Sequence, residues 1–546
     1  MKLLLLQPPV QDFYETDVRL QPIGLAYLKA AIAQHHPDVQ VLVKNYHHGW
    51  GRKTIPLPRE FSYLKKFYAK DDKSPFSTFH HYYHFGADFD AIAEDVAGEK
   101  PDIVGISILF APYYREAVRC ASAIKKKWHA PILAGGSFVS TMPKFILSHP
   151  DIDLIIQGEG ERALVEFLTA LKRGKGFREI PGLGFKKNTR LFLNPRKENF
   201  KIGELPFPDL SDLHEKHYLF EKKPMCFIVA SRGCPYRCSF CSVHKTFGSR
   251  YRKRPSENIL EEMKSRYRAG YRVFDFEDDN FALNREETIS LCEKIAAAFP
   301  KRDIQLLAMN GICYWTLDRK LLKQMRQAGF THLNLSLVST NGTLLKAVHR
   351  PHFLKKYRSV VKDAARLGFR IVSYQILGLP GESLDSMIKT MICNAGLPVL
   401  LGASPFYLIP NSPIANDIEA ETEEDIFKAR LTSMAIETPQ FDRSDIYTLF
   451  ITTRILNFLK GIPVRSNKCS LQKALAVASR SAPRSMAGVE ILKKLWHEKQ
   501  FYAFTAKGPE PLPEFKTKLF FRVWDKLDKI VTLENKIITI RRSNNR

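Results

Sequence analysis

Apolar segments of strand length alternate with amphipathic segments of helix length through the first third of this 546-residue chain, and that alternation leaves few folds open. Strands are predicted over residues 2–7, 39–45, 103–108, 131–134 and 154–157, and helices over 23–35, 89–98, 113–127, 142–148 and 161–173. Units in that strict succession build a doubly wound, Rossmann-like parallel sheet, which takes ligands at the carboxyl ends of its strands. The opening run Leu3-Leu4-Leu5-Leu6 is too short for the apolar core of a signal peptide and reads as a buried strand. The stretch 49–86 interrupts the series as an aromatic, histidine-rich insertion that includes Phe76, Phe79, His80, His81, Tyr82 and Tyr83.

A second series occupies residues 223–410. Its strands are predicted over 225–230, 273–277, 305–309, 332–337, 370–377 and 399–404, each but the last followed by a helix. Six units, rather than eight, make a partial (β/α)6 barrel, with chemistry expected at the strand carboxyl ends. The expected organisation is therefore α/β in 1–173, a linker with a β-hairpin over 183–193 in 174–222, the partial barrel in 223–410, and a basic, mainly helical region in 411–546. Prolines Pro206 and Pro208 suit a crossover between domains.

Hydrophobic residues make up 45% of the chain, enough for large cores, which argues against general disorder. The longest apolar stretch, 391–410, is broken by Gly396, Pro398, Gly402 and Pro405, so no transmembrane segment is predicted. The formal net charge is +26, and half of that excess lies beyond residue 450. Such a region can meet an anionic surface or remain a solvated face. The nine cysteines do not form a secreted disulfide pattern, and a reducing cytoplasmic setting is expected. Six lie far apart in sequence, and of these Cys226, Cys292, Cys313 and Cys393 have no metal spacing and read as small buried hydrophobes.

The other three lie in one loop after the first barrel strand: Ser231-Arg232-Gly233-Cys234-Pro235-Tyr236-Arg237-Cys238-Ser239-Phe240-Cys241. Three thiolates at C-x3-C-x2-C spacing can hold three corners of a cubane iron–sulfur cluster and leave one iron open. The alternative is a zinc site with His244 as fourth ligand. Glycines stand at two strand ends of the first series, in Gly135-Gly136-Ser137 and Gly158-Glu159-Gly160, where backbone can approach a ligand.

The cysteine run, with its Gly-Cys-Pro entry and Phe240, resembles the signature of the radical S-adenosylmethionine (radical SAM) enzymes. The glycine loops and Pro22-Ile23-Gly24, placed ahead of it, resemble the cobalamin-binding domain found in many of them. The resemblance covers about residues 1–410. It implies a 4Fe-4S cluster on Cys234, Cys238 and Cys241, the metal-binding and catalytic residues, with S-adenosylmethionine on the open iron and Phe240 near its adenine. It implies that Glu277, Asp278 or Asp279 accepts hydrogen bonds from the S-adenosylmethionine ammonium; Arg272 or Arg285 are alternative partners for these carboxylates. Ser336 and Ser339 would meet the ribose and methionine carboxylate, and the turn Gly378-Leu379-Pro380-Gly381 would lie near the adenine. Gly135, Gly136, Ser137, Gly158, Glu159 and Gly160 would contact cobalamin. One departure stands out: the first strand leads into Gln7-Pro8-Pro9, not an Asp-x-His-x-x-Gly motif, and His47 and His48 have the wrong spacing. No histidine is therefore expected below the cobalt.

The function implied is reductive cleavage of S-adenosylmethionine to a 5′-deoxyadenosyl radical, used for methyl transfer to an unactivated carbon of a small-molecule substrate. A low-potential donor such as flavodoxin or ferredoxin would supply electrons. Ring cyclisation or oxygenation is an alternative outcome. An RNA-modifying methylthiotransferase would need three more cysteines in its N-terminal domain, where residues 1–222 offer only Cys120. A cobalamin or iron–sulfur sensor is the non-enzymatic alternative.

Overall fold

A computed structural model of the chain describes residues 1–16, 20–188, 190–197, 201–417 and 422–540; Thr189 of the predicted hairpin lies outside the described residues. The chain divides into two compact units. The first comprises Met1–Pro56, Tyr82–Asn280 and Leu408–Ala429, and the second Leu57–His81, Phe281–Tyr407 and Arg430–Arg546.

The first unit is organised by a seven-stranded sheet. Its strands are β1 (Lys2–Gln7), β2 (Gln40–Asn45), β3 (Ile103–Ser107), β4 (Ile132–Gly135), β5 (Leu154–Ile156), β6 (Leu183–Lys187) and β7 (Arg190–Leu193), in the order β7-β6-β5-β4-β3-β1-β2. The first five are parallel. The hairpin β6–β7 adds to β5 as an antiparallel edge, so this part of the linker belongs to the sheet. Leu3 to Leu6 are each at most 1% exposed, because a parallel strand covered on both faces has no polar side to show. Helices Ile23–His35 and Gly160–Lys172 pack together, as do Phe89–Glu99 and Tyr114–Lys127. The predicted helix over 142–148 is Pro143–Ser148, preceded by a separate turn of helix, Ser137–Thr141. Proline lacks the amide that would continue the first into the second. The same unit holds β8 (Lys223–Ile228) paired in parallel with β9 (Val273–Phe276).

The second unit contains the remaining predicted barrel strands: β10 (Gln305–Leu307), β11 (His332–Val338), β12 (Arg370–Leu377) and β13 (Leu400–Pro405). The last three form a parallel sheet, with an irregularity in β11 between Ser336 and Val338. All six barrel strands expected from the sequence are therefore present. The 57–81 part of the insertion belongs here too. Phe76 lies 5.5 Å from Phe458 and 6.0 Å from Phe501, ring centre to ring centre. The Tyr68 hydroxyl donates to the Thr432 carbonyl at 2.8 Å.

The C-terminal region is mostly helical: Arg443–Lys460, Leu471–Ala478, Pro483–Glu498 and Thr517–Trp524, with short strands between them. A capping box on Asp442 and Asp445 starts the first of these helices. Part of the basic excess is internally paired, Lys516 with Asp442 and Asp445, and Arg522 and Lys526 with Asp385. Among the described residues no helix is long and apolar enough to cross a membrane.

Candidate functional site

At the carboxyl end of β8 the chain turns into a two-residue strand, Ser231–Arg232, paired antiparallel with Arg252–Lys253. These pairs form the neck of a loop that carries Cys234, Cys238 and Cys241. Gly233 stands at φ +84°, and a Cβ there would lie 2.4 Å from the Arg250 carbonyl oxygen, so only glycine fits the entry. Cys238 is buried, while Cys234 and Cys241 are half-buried. Burial pushes the Cys241 thiol up to about 11, and Cys238, Asp279 and Cys234 nearby add to the shift. A short helix, Val243–Phe247, follows the third cysteine. Phe240 is half-buried. Among the described residues no three histidine, cysteine or acidic side chains converge on one point as ligands of a single metal ion.

The carboxyl end of β9 braces this loop from below. The Asp278 carboxylate accepts from the Ala230 amide at 2.8 Å and the Ser231 hydroxyl at 2.5 Å. The Asp279 carboxylate accepts from the Gly233 amide at 2.8 Å. Burial pushes Asp278 up to about 7 and Asp279 up to about 6. Of the alternative partners, Arg285 pairs with Asp318 in the second unit, and Arg272 donates to the carbonyls of Tyr267 and Tyr271.

A cavity of about 280 Å³ opens beside the loop neck, within the first unit. One wall is the carboxyl edge of the parallel sheet, with Gly135, Gly136, Ser137, Gly158, Glu159 and Gly160. Arg232, Phe247, Glu277 and Asp279 also line it. Gly136 has φ +116°, and a Cβ would come 2.5 Å from the Ile108 carbonyl oxygen. The Gly158 amide donates to the Ser140 hydroxyl at 2.7 Å, tying the two glycine loops together.

Arg232, Glu161 and Arg252, which sequence reading did not assign to the site, hold the cavity wall together with Glu159. Arg232 donates to Glu159 at 2.8 Å and to Glu161 at 2.6 Å, and Arg252 pairs with the other Glu159 oxygen at 2.7 Å. None of these four side chains is more than 9% exposed. Burial works against the Arg232 charge, but Glu161 and Glu159 outweigh it and hold the guanidinium protonated. Three buried atoms of cavity-lining residues lack a hydrogen-bond partner among the described residues: Gln7 Oε1, Gln21 Nε2 and Glu161 Oε2. The other Gln21 end is fixed, its Oε1 accepting from the Phe227 amide at 2.7 Å.

The second unit holds the remaining predicted residues. The Ser336 carbonyl accepts from Arg350 at 2.6 Å. The Ser339 hydroxyl donates to Glu382 at 2.7 Å and accepts from the Asn341 amide at 3.2 Å, which commits its proton and one lone pair. Burial pushes Glu382 up to about 7. In the turn after β12, Gly378 has φ +85° and a Cβ there would meet Ile446 and Phe441 at 3.0 and 3.1 Å, while Gly381 has φ +79°, with Pro380 between Gly378 and Gly381.

A family model described as the radical SAM superfamily matches residues 228–392, and one described as a B12 binding domain matches residues 78–168. An uncharacterized methyltransferase of Pyrococcus horikoshii is 26% identical over 396 residues, 72% of this chain and 77% of its own length. Cytidylyl-2-hydroxyethylphosphonate methyltransferase of Streptomyces wedmorensis is 22% identical over 432 residues, 71% of this chain and 75% of its own. Among solved structures, the radical S-adenosylmethionine methyltransferase TsrM of Kitasatospora setae, with cobalamin and a 4Fe-4S cluster bound, aligns with a TM-score of 0.57 at 17% identity, over 76% of this chain and 74% of that one. The cobalamin-dependent S-adenosylmethionine radical enzyme OxsB aligns with a TM-score of 0.60 at 14% identity, over 91% of this chain and 72% of that one. These structural likenesses speak for a shared fold. With both models matched in sequence order, the chain carries a domain of the radical SAM superfamily over residues 228–392, preceded by a B12-binding domain over residues 78–168.

Proposed function

We propose that this chain is a cobalamin-dependent radical SAM methyltransferase that acts on an unactivated carbon of a small-molecule substrate. Cys234, Cys238 and Cys241 would hold a 4Fe-4S cluster and leave its fourth iron to S-adenosylmethionine. Gly135, Gly136, Ser137, Gly158 and Gly160 would admit a corrinoid close to the backbone. The donor set suits that guest: Gln7 Oε1 and Glu161 Oε2 accept, Gln21 Nε2 donates, and the primary amides on a corrin rim do both. Together the bound groups supply one-electron cleavage of S-adenosylmethionine and a transferable methyl group.

The protein's own part is binding and orientation. Glu277 and Asp279 line the cavity beside the cysteine loop, where a carboxylate can accept from the S-adenosylmethionine ammonium. Asp278 faces the other way, onto Ala230 and Ser231, and its part is to fix the loop entry. A low-potential donor of the flavodoxin or ferredoxin type would deliver the electron.

The observation that carries this reading is that one cavity is walled by both the glycine loops and the neck of the cysteine loop. The test is anaerobic reconstitution with iron, sulfide and hydroxocobalamin. The expected outcome is about one cubane cluster per chain, a corrinoid absorption band retained on gel filtration, and 5′-deoxyadenosine released on reduction with S-adenosylmethionine. Cys238→Ala should abolish that release. Failure to retain a corrinoid under saturating cobalamin would remove the cobalamin half of the proposal, and undiminished release from Cys238→Ala would remove the cluster half.

A further inference from the structure

Glu159 lines the cavity, and each of its two carboxylate oxygens is held by an arginine. One oxygen takes Arg232 and the other takes Arg252. Those two arginines are directly opposite each other in the two-residue ladder that closes the cysteine loop. A single carboxylate thus bridges both strands of the loop neck. Glu161, two residues on, takes the second nitrogen of Arg232, and Asp279 holds the next amide, Gly233. Tyr27 and Phe247 cover Arg232, with ring centres 5.2 and 5.6 Å from its Cζ. A two-residue ladder is too short to hold a loop closed by itself. Charge-assisted contacts at low exposure, one nitrogen to one oxygen in each pair, supply the missing rigidity and fix orientation.

We propose that Glu159 is a positioning residue for the cluster: with Arg232 and Arg252 it clamps the neck of the cysteine loop, so that the loop carrying the three thiolates is held by the glycine loop on the corrinoid side. This inference rests on the reading of the cysteine loop as the cluster site. The glycine loop then serves two groups at once, its backbone open to the cavity and its side chain gripping the cysteine loop. A ligand that orders Gly158–Gly160 also steadies the clamp, and binding linkage makes that effect reciprocal.

Glu159→Gln removes the charge and keeps the shape, while Arg232→Met removes the opposite charge at the same place. In the cofactor-free protein, Glu159→Gln should raise hydrogen exchange at the neck amides of 231–233 and 252–253 at least about tenfold, as expected when a buried charged pair is broken. In the reconstituted protein, iron release to a chelator should be several-fold faster in Glu159→Gln, and the protection that hydroxocobalamin gives the wild type should vanish. The midpoint potential of the cluster should rise in Glu159→Gln and fall in Arg232→Met, because the two variants remove charges of opposite sign. Unchanged exchange at the neck, or iron release as slow as in the wild type, would overturn the clamp. A wild type that binds no iron would instead overturn the cluster reading, while the exchange measurement on the cofactor-free protein would still report on the clamp itself.

Discussion

The clearest energetic test of the site concerns Asp278, whose side chain is 1% exposed and accepts from both the Ala230 amide and the Ser231 hydroxyl. Burial holds its carboxyl up to about 7; once it is protonated below that pH, Oδ1 still accepts from Ala230 while the carboxyl O–H donates to the Ser231 oxygen instead of accepting from it. Asparagine reproduces that pattern: its Oδ1 accepts from Ala230 and its amide donates to the Ser231 oxygen. Alanine removes both partners at once. A buried amide left without an acceptor costs about 1–3 kcal/mol and the lost hydroxyl bond about 1 kcal/mol, so Asp278→Ala should cost about 3 kcal/mol locally. At ~1.4 kcal/mol per decade that is about a hundredfold in the opening equilibrium. Hydrogen exchange of the cofactor-free protein at about pH 6, read on peptides covering Phe227–Arg232, gives this directly. Asp278→Ala should lose about two decades of protection and Asp278→Asn less than about one. If the two variants lose protection equally, or alanine stays within about threefold of wild type, Asp278 does not brace the loop entry by these bonds.

Two further perturbations read the second unit. Glu382 is held up to about 7 from an ordinary 4.5, so the folded state keeps a proton the unfolded state has lost, and stability falls as pH rises between those values. Glu382→Gln should abolish that fall, worth up to about 3 kcal/mol, and the melting temperatures of the two proteins should diverge between about pH 5 and 8; parallel curves would sink this account. Lys460 is 1% exposed and its ammonium donates to the carbonyls of Ala395, Leu397 and Val531 at 3.1, 2.6 and 2.5 Å. Lys460→Met should destabilise the protein by about 3 kcal/mol in urea unfolding, since it strands these buried acceptors; a loss below about 1 kcal/mol would contradict that role.

The parts legible in the sequence are those written in short spans. Leu3 to Leu6 announce a strand buried on both faces, and the cysteine spacing lies within a single loop. The glycines at 136 and 158 mark strand ends because no other residue takes those backbone angles comfortably. What stayed hidden depends on long-range pairing. Arg232 meets Glu159 and Glu161 from 73 and 71 positions away, and charged residues in a sequence read as surface until a partner is known. The aromatics of 57–81 announce burial but not against what, and their partners lie beyond residue 430. The hairpin β6–β7 reads as a linker because nothing local says that its first strand joins a sheet edge. Strands of three residues near the C terminus, such as Lys529–Val531, are too short to leave a period in the sequence.

The most direct test of the central claim is electron paramagnetic resonance of anaerobically reconstituted, reduced protein, recorded before and after S-adenosylmethionine is added. A cubane held by Cys234, Cys238 and Cys241 alone predicts one reduced 4Fe-4S signal whose g-values move when S-adenosylmethionine occupies the open iron. Zinc in place of iron, or a cluster signal indifferent to S-adenosylmethionine, would contradict it.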